Sequence, residues 1–441
     1  MSAILTAPPA APTRDAAVIG LVAFAHAVSH FFHLLLAPLF PWLMPAFGIS
    51  FVEAGFLVTL FFAVSGTGQA LAGFVVDRFG ALPVLLAGVG CFVLAALLLA
   101  SAQSYGGLML AAGAAGLGNC VFHPADFALL NRRVLPARLG HAFSMHGLSG
   151  NLGWAAAPPL LAGVAALAGW RAAALTAAGV AVLAWLALWF GRRLLDDRAA
   201  LVAHAAHPAG ASGRPASGAA SAHGAPAAAG TAGATPAPSA LGFLGVRAVW
   251  LCFAFFLSSA GAFGLLQSFG APTLEHVFGL ARSTSTFAIT VFLLAGAVGT
   301  FVGGFVASRT DDNDRPVAVA LLASAAIAAL LATGLPPDWL VLPMLGAMGF
   351  GVGVAGPNRD LLVRRAAAGR FAQASYGRVY GFVYSGLDLG LGASPLLLGP
   401  SMDAGHFRTV LVCVAVAQAL AVLSAWRVGS GRRAQAALAT A

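Results

Sequence analysis

Long apolar stretches separated by short polar connections dominate the chain. Twelve of these stretches have the roughly 20 mainly apolar residues that an α-helix needs to cross the hydrocarbon core of a bilayer. Only Ser101 to Tyr105 separates the third from the fourth. The pattern predicts an all-α polytopic membrane protein with twelve transmembrane helices, and we place the spans at 17–40, 51–75, 82–100, 106–129, 141–165, 172–190, 246–269, 284–307, 316–333, 340–362, 379–400 and 407–426.

Composition supports a membrane environment. Sixty per cent of the 441 residues are hydrophobic and 8% are charged, against about a quarter charged in a typical soluble domain. So few charges cannot cover the surface of a water-soluble protein of this size, so the chain needs lipid as its solvent. The four cysteines stand at scattered positions inside apolar runs. They are interpreted as small buried apolar residues, without the spacing of a disulfide framework or a metal site.

The basic residues, all 23 of them arginines, fall almost entirely on one side of the predicted membrane. Only Arg171, Arg282 and Arg408 lie in connections on the opposite side, and Arg359 lies within a span. Because positive residues stay on the cytoplasmic side of a bacterial membrane, both termini are predicted to be cytoplasmic in a multi-pass inner-membrane protein. The formal charge of +9 therefore reports topology, and no nucleic-acid partner is expected.

One long connection breaks the apolar pattern. Residues 199–243 are almost entirely Ala, Gly, Pro, Ser and His, with no periodic apolar face, so they cannot bury enough surface to fold. His204, His207 and His223 in this connection are either incidental or a weak metal-binding tract. The predicted organisation is a disordered tail (1–16), a six-helix bundle (17–195), a flexible cytoplasmic linker (196–245), a second six-helix bundle (246–428) and a C-terminal tail (429–441).

The two bundles repeat each other. Glycine, proline and arginine landmarks of the first half recur in the second at a nearly constant offset. Two six-span halves in the same orientation imply a pseudo-two-fold axis along the membrane normal, with a substrate site between the halves. The matched landmarks are Gly73 and Arg78 with Gly304 and Arg309, Gly116, Gly118 and Pro124 with Gly349, Gly351 and Pro357, and Gly153 and Pro158 with Gly390 and Pro395.

These features resemble the major facilitator superfamily over nearly the whole chain. The segment from Gly73 to Gly80, with Asp77 and Arg78 inside it, is similar to that superfamily's signature loop between the second and third helices. The basic residues that usually follow are replaced by the run Ala81 to Pro83. The resemblance implies the major facilitator fold, two pseudo-symmetric six-helix bundles that move a small solute.

Within that superfamily the first half resembles the fosmidomycin-resistance group of drug/proton antiporters. The similar elements are His26 and His30 ahead of Pro38-x-x-Pro41, the run Val121-Phe122-His123-Pro124, and Gly150-Asn151-x-Gly153 leading to Pro158. In the resembled group an acidic residue often stands at the position of His30, so this resemblance implies that His30 substitutes for a carboxylate.

Charged residues near the cytoplasmic ends of helices are candidates for gating. The resemblance implies that Asp77, with Arg78, latches onto the start of the eleventh helix near Arg378; the alternative is that Asp77 only balances Arg78. Asp126 and Arg359 occupy matched repeat positions, and we predict that they meet across the axis to close the inner gate. The competing partner of Arg359 is the adjacent Asp360.

Ionisable residues at membrane depth are the candidates for proton coupling, because each is costly there unless it faces a wet cavity or a partner. His26, His30 and His33 are spaced i, i+4 and i+7, which places them on one helical face, and imidazole titrates near neutral pH. The alternatives are structural histidines bonded to the backbone, or a three-histidine metal site. Asp388, in the middle of the eleventh span, is the carboxylate candidate for coupling; its alternative role is an ion pair or hydrogen bond that stiffens the helix.

Further polar groups are candidates for the substrate cavity. His123 stands beside Pro124, where proline frees part of the helix backbone; a structural histidine is the alternative. The remaining polar candidates, each of which could instead bond between helices, are Gln69, Asn119, Asn151 and Tyr384.

Enzymatic functions have little support. A phosphate-binding loop that ends in Lys is excluded because the chain has no Lys, and no nucleophile elbow is present. We therefore predict a monomeric, proton-coupled exporter of small polar or anionic organic compounds by alternating access. Its partners are a small-molecule substrate, protons and lipid, with no cofactor or resident metal. The alternatives are a proton symporter that imports an organic acid, a divalent-metal exporter and a non-transporting sensor.

Overall fold

The computed structural model describes residues 12–135, 138–196, 242–309, 314–368 and 376–440. These residues form α-helices with short 3-10 turns and contain no β-strand. In chain order the helices are α1 (Pro12–His33), α2 (Phe40–Phe47), α3 (Phe51–Phe79), α4 (Ala81–Ser101), α5 (Tyr105–Asn119), α6 (Phe122–Arg133), α7 (Leu139–Ala168), α8 (Trp170–Phe190), α9 (Arg192–Leu195), α10 (Arg247–Phe278), α11 (Arg282–Arg309), α12 (Asp314–Thr333), α13 (Asp338–Ala368), α14 (Tyr376–Asp403) and α15 (Arg408–Thr440).

Eleven segments of the described chain are long and apolar enough to span a membrane, with α5 and α6 counted as one. Helix α14, 28 residues long, lies at the place of the eleventh predicted span. Large apolar side chains such as Leu71, Phe74 and Leu167 are exposed on the outside of the bundle, as a lipid environment requires. The predicted fold class, an all-α membrane protein with twelve spanning segments, is confirmed.

Two of the spans are broken helices. The first consists of α1, a 3-10 turn at Ala37–Leu39 and α2, and a proline is the second residue of both short elements. Proline suits these positions because an amide at the start of a helix has no intrahelical acceptor to lose. The fourth span is interrupted at Cys120 and Val121, between α5 and α6. This break sets His123 and Asp126 in the first turns of a new helix.

Several predicted boundaries shift. Helix α1 begins at Pro12, inside the tail predicted over 1–16, and α15 continues to Thr440 through the predicted tail at 429–441. A 3-10 turn at Gly242–Gly245 falls inside the predicted linker. Residues 197–241, which hold His204, His207 and His223, lie outside the described residues, so the linker stays a prediction.

Matched glycines of the repeat, apart from Gly73 and Gly304, lie where helices cross closely. Gly153 of α7 lies against the backbone of Ala27 in α1, and its repeat mate Gly390 of α14 lies against Leu257 in α10. At these positions a Cβ would overlap a neighbouring carbonyl. The sequence repeat therefore records which helices touch in each half, because small residues allow the close approach that packs helices in lipid.

Two helix pairs make the most extensive contacts between the halves. Helix α3 packs against α14, and α7 packs against α11. Gly55 and Gly66 of α3 both face α14, and Asn151 of α7 approaches Thr300 of α11 through its Nδ2, at 3.4 Å from Oγ1. Polar groups on these helices therefore sit where the halves must move against each other if transport occurs by rocking.

We predict that Gly153→Ala lowers the stability of the protein, because the added methyl group would collide with the backbone of Ala27. Overpacking of this kind typically costs about 1–3 kcal/mol. Gly163→Ala on the same helix is the matched control, since nothing lies within 4 Å of its added Cβ. Thermal unfolding in detergent measures both, and equal melting temperatures would contradict the proposed crossing point.

Candidate functional site

Five histidines from three helices meet inside the first half. Helix α1 contributes His26, His30 and His33, α6 contributes His123, and α7 contributes His146. The ring centroids of His26 lie 3.5 Å from His146, 4.4 Å from His30 and 5.3 Å from His123. The His30 and His33 rings stack at 4.8 Å. We call these five residues the histidine cluster.

Helix geometry and one glycine assemble the histidine cluster. The three α1 histidines share one helical face, as their spacing predicts, and this face packs against α7. On α7, His146, Gly150 and Trp154 are spaced i, i+4 and i+8, so they lie on one face, which contacts the α1 histidines. Gly150 lies against the ring of His30, where a Cβ would approach within 2.6 Å. The small residue therefore makes room for the imidazole.

Asp126 is the carboxylate of the histidine cluster. It is fully buried, and its Oδ2 atom lies 3.0 Å from Nε2 of His146 and 3.1 Å from Nδ1 of His26. The His146 contact has hydrogen-bond geometry. Asp126 Oδ1 and His26 Nδ1 have no hydrogen-bond partner among the described residues. The hydrogen bond to His146 is therefore the path by which this buried carboxylate can share a proton with an imidazole.

This position departs from the predicted gate. Asp126 was expected to meet Arg359 across the axis at the cytoplasmic end, but the structure directs its carboxylate into its own half, toward His26 and His146. The side chain of Arg359 lies outside the described residues. The physical reason for the difference is proximity: imidazoles of α1 and α7 lie within 3.1 Å of Asp126 Oδ2, and the His146 ring is hydrogen-bonded to it.

A hydrogen-bond network around Asn119 fixes His33. The side-chain oxygen of Asn119 accepts from Ser29 Oγ at 2.6 Å and lies 3.0 Å from Nε2 of His33, while its Nδ2 donates to Ser65 Oγ at 2.8 Å. The indole nitrogen of Trp154 donates to His33 Nδ1 at 3.3 Å. Because an indole N–H only donates, Nδ1 must be an unprotonated acceptor, and the proton of the neutral ring sits on Nε2.

Trp154 also connects the histidine cluster to the second half. Its ring lies 4.2 Å from that of His30 and 4.9 Å from that of Phe263 on α10. A proton added to Nδ1 of His33 would face the indole N–H and break that hydrogen bond. The side chain that touches the other half is therefore sensitive to the protonation state of His33.

Other predicted residues lie at the boundary between the halves. Asp388 of α14 faces Gly66 of α3, whose Cβ would lie 3.4 Å from the carboxylate oxygen. Asn151 contacts Thr300 across the same boundary, and Gln69 is half-buried one turn beyond Gly66 on α3. These residues are not part of the histidine cluster. Asp388 and Asn151 lie where the two halves meet.

Three of the histidines have the spacing of a possible metal site. Nitrogen atoms of His26, His123 and His146 all lie within 4.8 Å of one another. However, the rings of His26 and His146 are stacked, with an interplanar angle of 24°. Imidazole lone pairs lie in the ring plane, so stacked rings direct them side by side rather than toward one ion at about 2.0–2.1 Å. A cation would require one ring to turn.

Comparison with known proteins agrees with this architecture. The sequence profile described as Major Facilitator Superfamily matches residues 22–395 and 251–439. The chain belongs to the major facilitator superfamily. It is thus a multi-pass membrane protein of a transporter family, rather than an enzyme.

Individual relatives add detail to that assignment. The fosmidomycin resistance protein of Escherichia coli (strain K12) is 30% identical over 153 residues, which are 34% of this chain and 36% of that protein. The match thus spans about a third of the relative. Crystal structures of a bacterial homolog of the human lysosomal transporter Spinster share the fold. The inward-facing unoccupied form has a TM-score of 0.69 at 14% identity, covering 96% of this chain and 98% of that one. For the inward-facing occupied form the values are 0.67, 15%, 95% and 97%.

The superfamily's signature segment is only partly described. Gly80 makes the whole turn between α3 and α4, with a φ of 91° that favours glycine, whereas Gly73 is helical. The exposed guanidinium of Arg78 lies 5.5 Å from the ring centre of Phe79. The side chains of Asp77, Arg378 and Tyr384 lie outside the described residues, so the cytoplasmic latch stays a prediction.

Sequence reasoning missed part of the site. His146 and Trp154 were not singled out, although His146 lies in the fifth predicted span and meets the same criterion of an ionisable group at membrane depth. Ser29 and Ser65 were also missed, since serines occur widely in transmembrane helices. The one-face spacing of His146, Gly150 and Trp154 was the available signal.

We predict that Asp126→Asn destabilises the protein, whereas Asp388→Asn does not. The first change puts an amide where His26 and His146 meet a carboxylate, and a mismatched buried polar group costs about 1–3 kcal/mol. Asp388 has no hydrogen bond within the described part of the chain, so the same change there removes no such contact. Thermal unfolding in detergent compares the two variants. A larger loss for Asp388→Asn would contradict the assignment of Asp126 as the bonded carboxylate.

Proposed function

We propose that this transporter is a proton-coupled exporter of small polar or anionic organic compounds. It would act in a bacterial inner membrane, with both termini in the cytoplasm. The observation that carries the proposal is the carboxylate of Asp126 between His26 and His146, all three almost completely buried. Ionisable groups at membrane depth are retained for function, because burying them is costly.

The histidine cluster offers two kinds of surface. Asp126, His26 and His146 are at most 5% exposed, so they are suited to hold a proton rather than to touch a cargo. His30, His33 and His123 are only partly buried and can present N–H groups to a solute. We call Asp126, His26 and His146 the inner trio. This division assigns the proton to the inner trio and the contact with cargo to the partly exposed histidines.

The chemistry of these groups favours a polar or anionic cargo. Imidazole N–H groups donate hydrogen bonds, and protonated imidazoles attract negative charge. Asn119, although buried, orients His33, and Asn151, Gln69 and Asp388 supply further polar groups where the halves meet. The cargo would bind between the halves and be released by their rocking, which is the transport scheme of this architecture.

Export is supported by the relative named as a fosmidomycin resistance protein, because resistance follows when a cell lowers its internal drug concentration. Electrostatics supports a second candidate, proton symport into the cell. A cluster made cationic by a proton would bind an anion together with that proton, and co-binding is the condition for symport. Fosmidomycin is therefore a suitable probe for both candidates.

In a fosmidomycin-sensitive strain, we expect the chain to raise the inhibitory concentration of the drug and His26→Gln and Asp126→Asn to abolish the gain. The inner trio loses a proton-binding group in each variant. His141→Gln is the matched control, since His141 is exposed on α7. Expression of each variant is measured in the membrane fraction. Undiminished resistance in both variants would contradict a role for the inner trio.

In inverted membrane vesicles with an acidic lumen, we expect external fosmidomycin to raise the lumen pH when the protein is present. Antiport carries the drug inward in these vesicles as protons leave. Asp126→Asn should remove this response. Resistance without any pH response would argue against proton coupling, and discharge by Zn²⁺ but not by fosmidomycin would favour the divalent-metal alternative.

A further inference from the structure

The start of α3 is capped by the opposite half of the molecule. Ser50 and Glu53 form a capping box, in which Ser50 Oγ accepts from the Glu53 amide and Glu53 Oε2 accepts from the Ser50 amide. The amides of Phe51 and Val52 instead donate to Asp403, at 2.6 Å to Oδ1 and 3.1 Å to Oδ2. Asp403 is the last residue of α14, in the second half.

This arrangement accounts for the amide donors at the start of the helix. The first amides of an α-helix have no intrahelical acceptor. Here the amides of Ser50 and Glu53 are bonded by each other's side chains. The two amides between them, of Phe51 and Val52, are bonded by a carboxylate from the other bundle. A carboxylate at a helix N-terminus is further stabilised by the positive end of the helix dipole. Both effects act only while α3 and α14 are together at this end.

Further contacts between α3 and α14 continue along both helices from Asp403 toward the middle of the membrane. Thr59 Oγ1 donates to the carbonyl of Gly392 at 2.6 Å. A Cβ on Gly399 would lie 2.6 Å from Cα of Val52, and one on Gly55 would lie 2.7 Å from the carbonyl oxygen of Pro395. The backbones of α3 and α14 therefore touch along several turns, and the carboxylate lies at the outer end of that contact.

Aromatic side chains surround the capped helix start. The ring of Phe51 meets Phe269 of α10 edge-on at 5.7 Å and Phe407, just beyond α14, at 6.0 Å. Arg282 of the second half lies 5.4 Å from the ring centre of Trp42 in the first. By the distribution of arginines, this end of the bundle is the one predicted to face away from the cytoplasm.

We propose that Asp403 is a gating residue, which holds the non-cytoplasmic mouth closed by capping the N-terminus of α3 from the other half. Opening that mouth moves the start of α3 away from the end of α14. The Phe51 and Val52 amides then exchange a carboxylate for water, and Asp403 loses the helix terminus. The closed state is favoured by these contacts, independently of the cargo and of the coupling ion.

The test measures the mouth directly, without substrate. Spin labels at Leu167, at the end of α7, and Leu335, beyond α12, report the separation of the halves in a variant whose native cysteines are replaced. Both positions are highly exposed. In reconstituted full-length protein, electron–electron distance measurements should give mainly short distances. Asp403→Ala should raise the ratio of open to closed populations by roughly threefold to tenfold, the range expected for losing charged contacts to a helix terminus.

Two further variants make the result decisive. Asp403→Asn keeps one acceptor oxygen without the charge and should produce a smaller shift, which also serves if Asp403→Ala folds poorly. Asp338→Ala is the matched control, because Asp338 is an exposed carboxylate at the start of α13 on the same end; its distances should equal those of the parent. The proposal is overturned if both Asp403 variants give the parent's distance distribution. Because no substrate or proton gradient is used, that result would leave the proton-coupling proposal standing.

Discussion

A bilayer supplies no water to polar groups inside a helix bundle, so such groups must satisfy one another. The interior of the first half follows from this constraint. Asn119 uses its amide on Ser29, His33 and Ser65, which belong to α1 and α3, and Asp126 meets imidazoles from α1 and α7. Each contact fixes one helix relative to another. The same side chains that resemble a transport site are therefore also part of what holds the half together.

Close helix approach is the second requirement for this arrangement, since short polar side chains reach each other only between nearly touching backbones. Gly150 makes room for His30, and Gly153 lets α7 rest on the backbone of Ala27. The second half repeats the crossing at Gly390 against Leu257. It does not repeat the histidines of α1, because α10 carries the apolar Phe263 where its surface contacts Trp154. Packing is thus symmetric between the halves, whereas ionisable groups are concentrated in one of them.

The limits of sequence reasoning follow from the same difference between helix packing, which repeats, and side-chain contacts, which do not. Twelve spans and the helix face shared by His26, His30 and His33 were predictable, because hydrophobic length and helical periodicity are local properties of the chain. The partner of Asp126 was not. Its position in the repeat indicated Arg359. A pseudo-symmetry axis relates the two backbones, however, and does not determine which side chain lies nearest to the carboxylate. His146 supplied that partner from twenty residues along the chain, through a contact that depends on the break between α5 and α6.

The proposed proton coupling poses a physical problem for this geometry. In the proposed coupling, a proton held by Asp126, His26 and His146 would lie within the first half, so it would favour one arrangement of the two halves only through a group that contacts the second half. Some group must touch both the titratable cluster and the second half. Trp154 does so: it donates to His33, packs on His30 and contacts Phe263. In the proposed mechanism, a change of charge among the histidines reaches the boundary between the halves through the indole ring of Trp154, and the capping contacts of Asp403 oppose opening at the other end of α3.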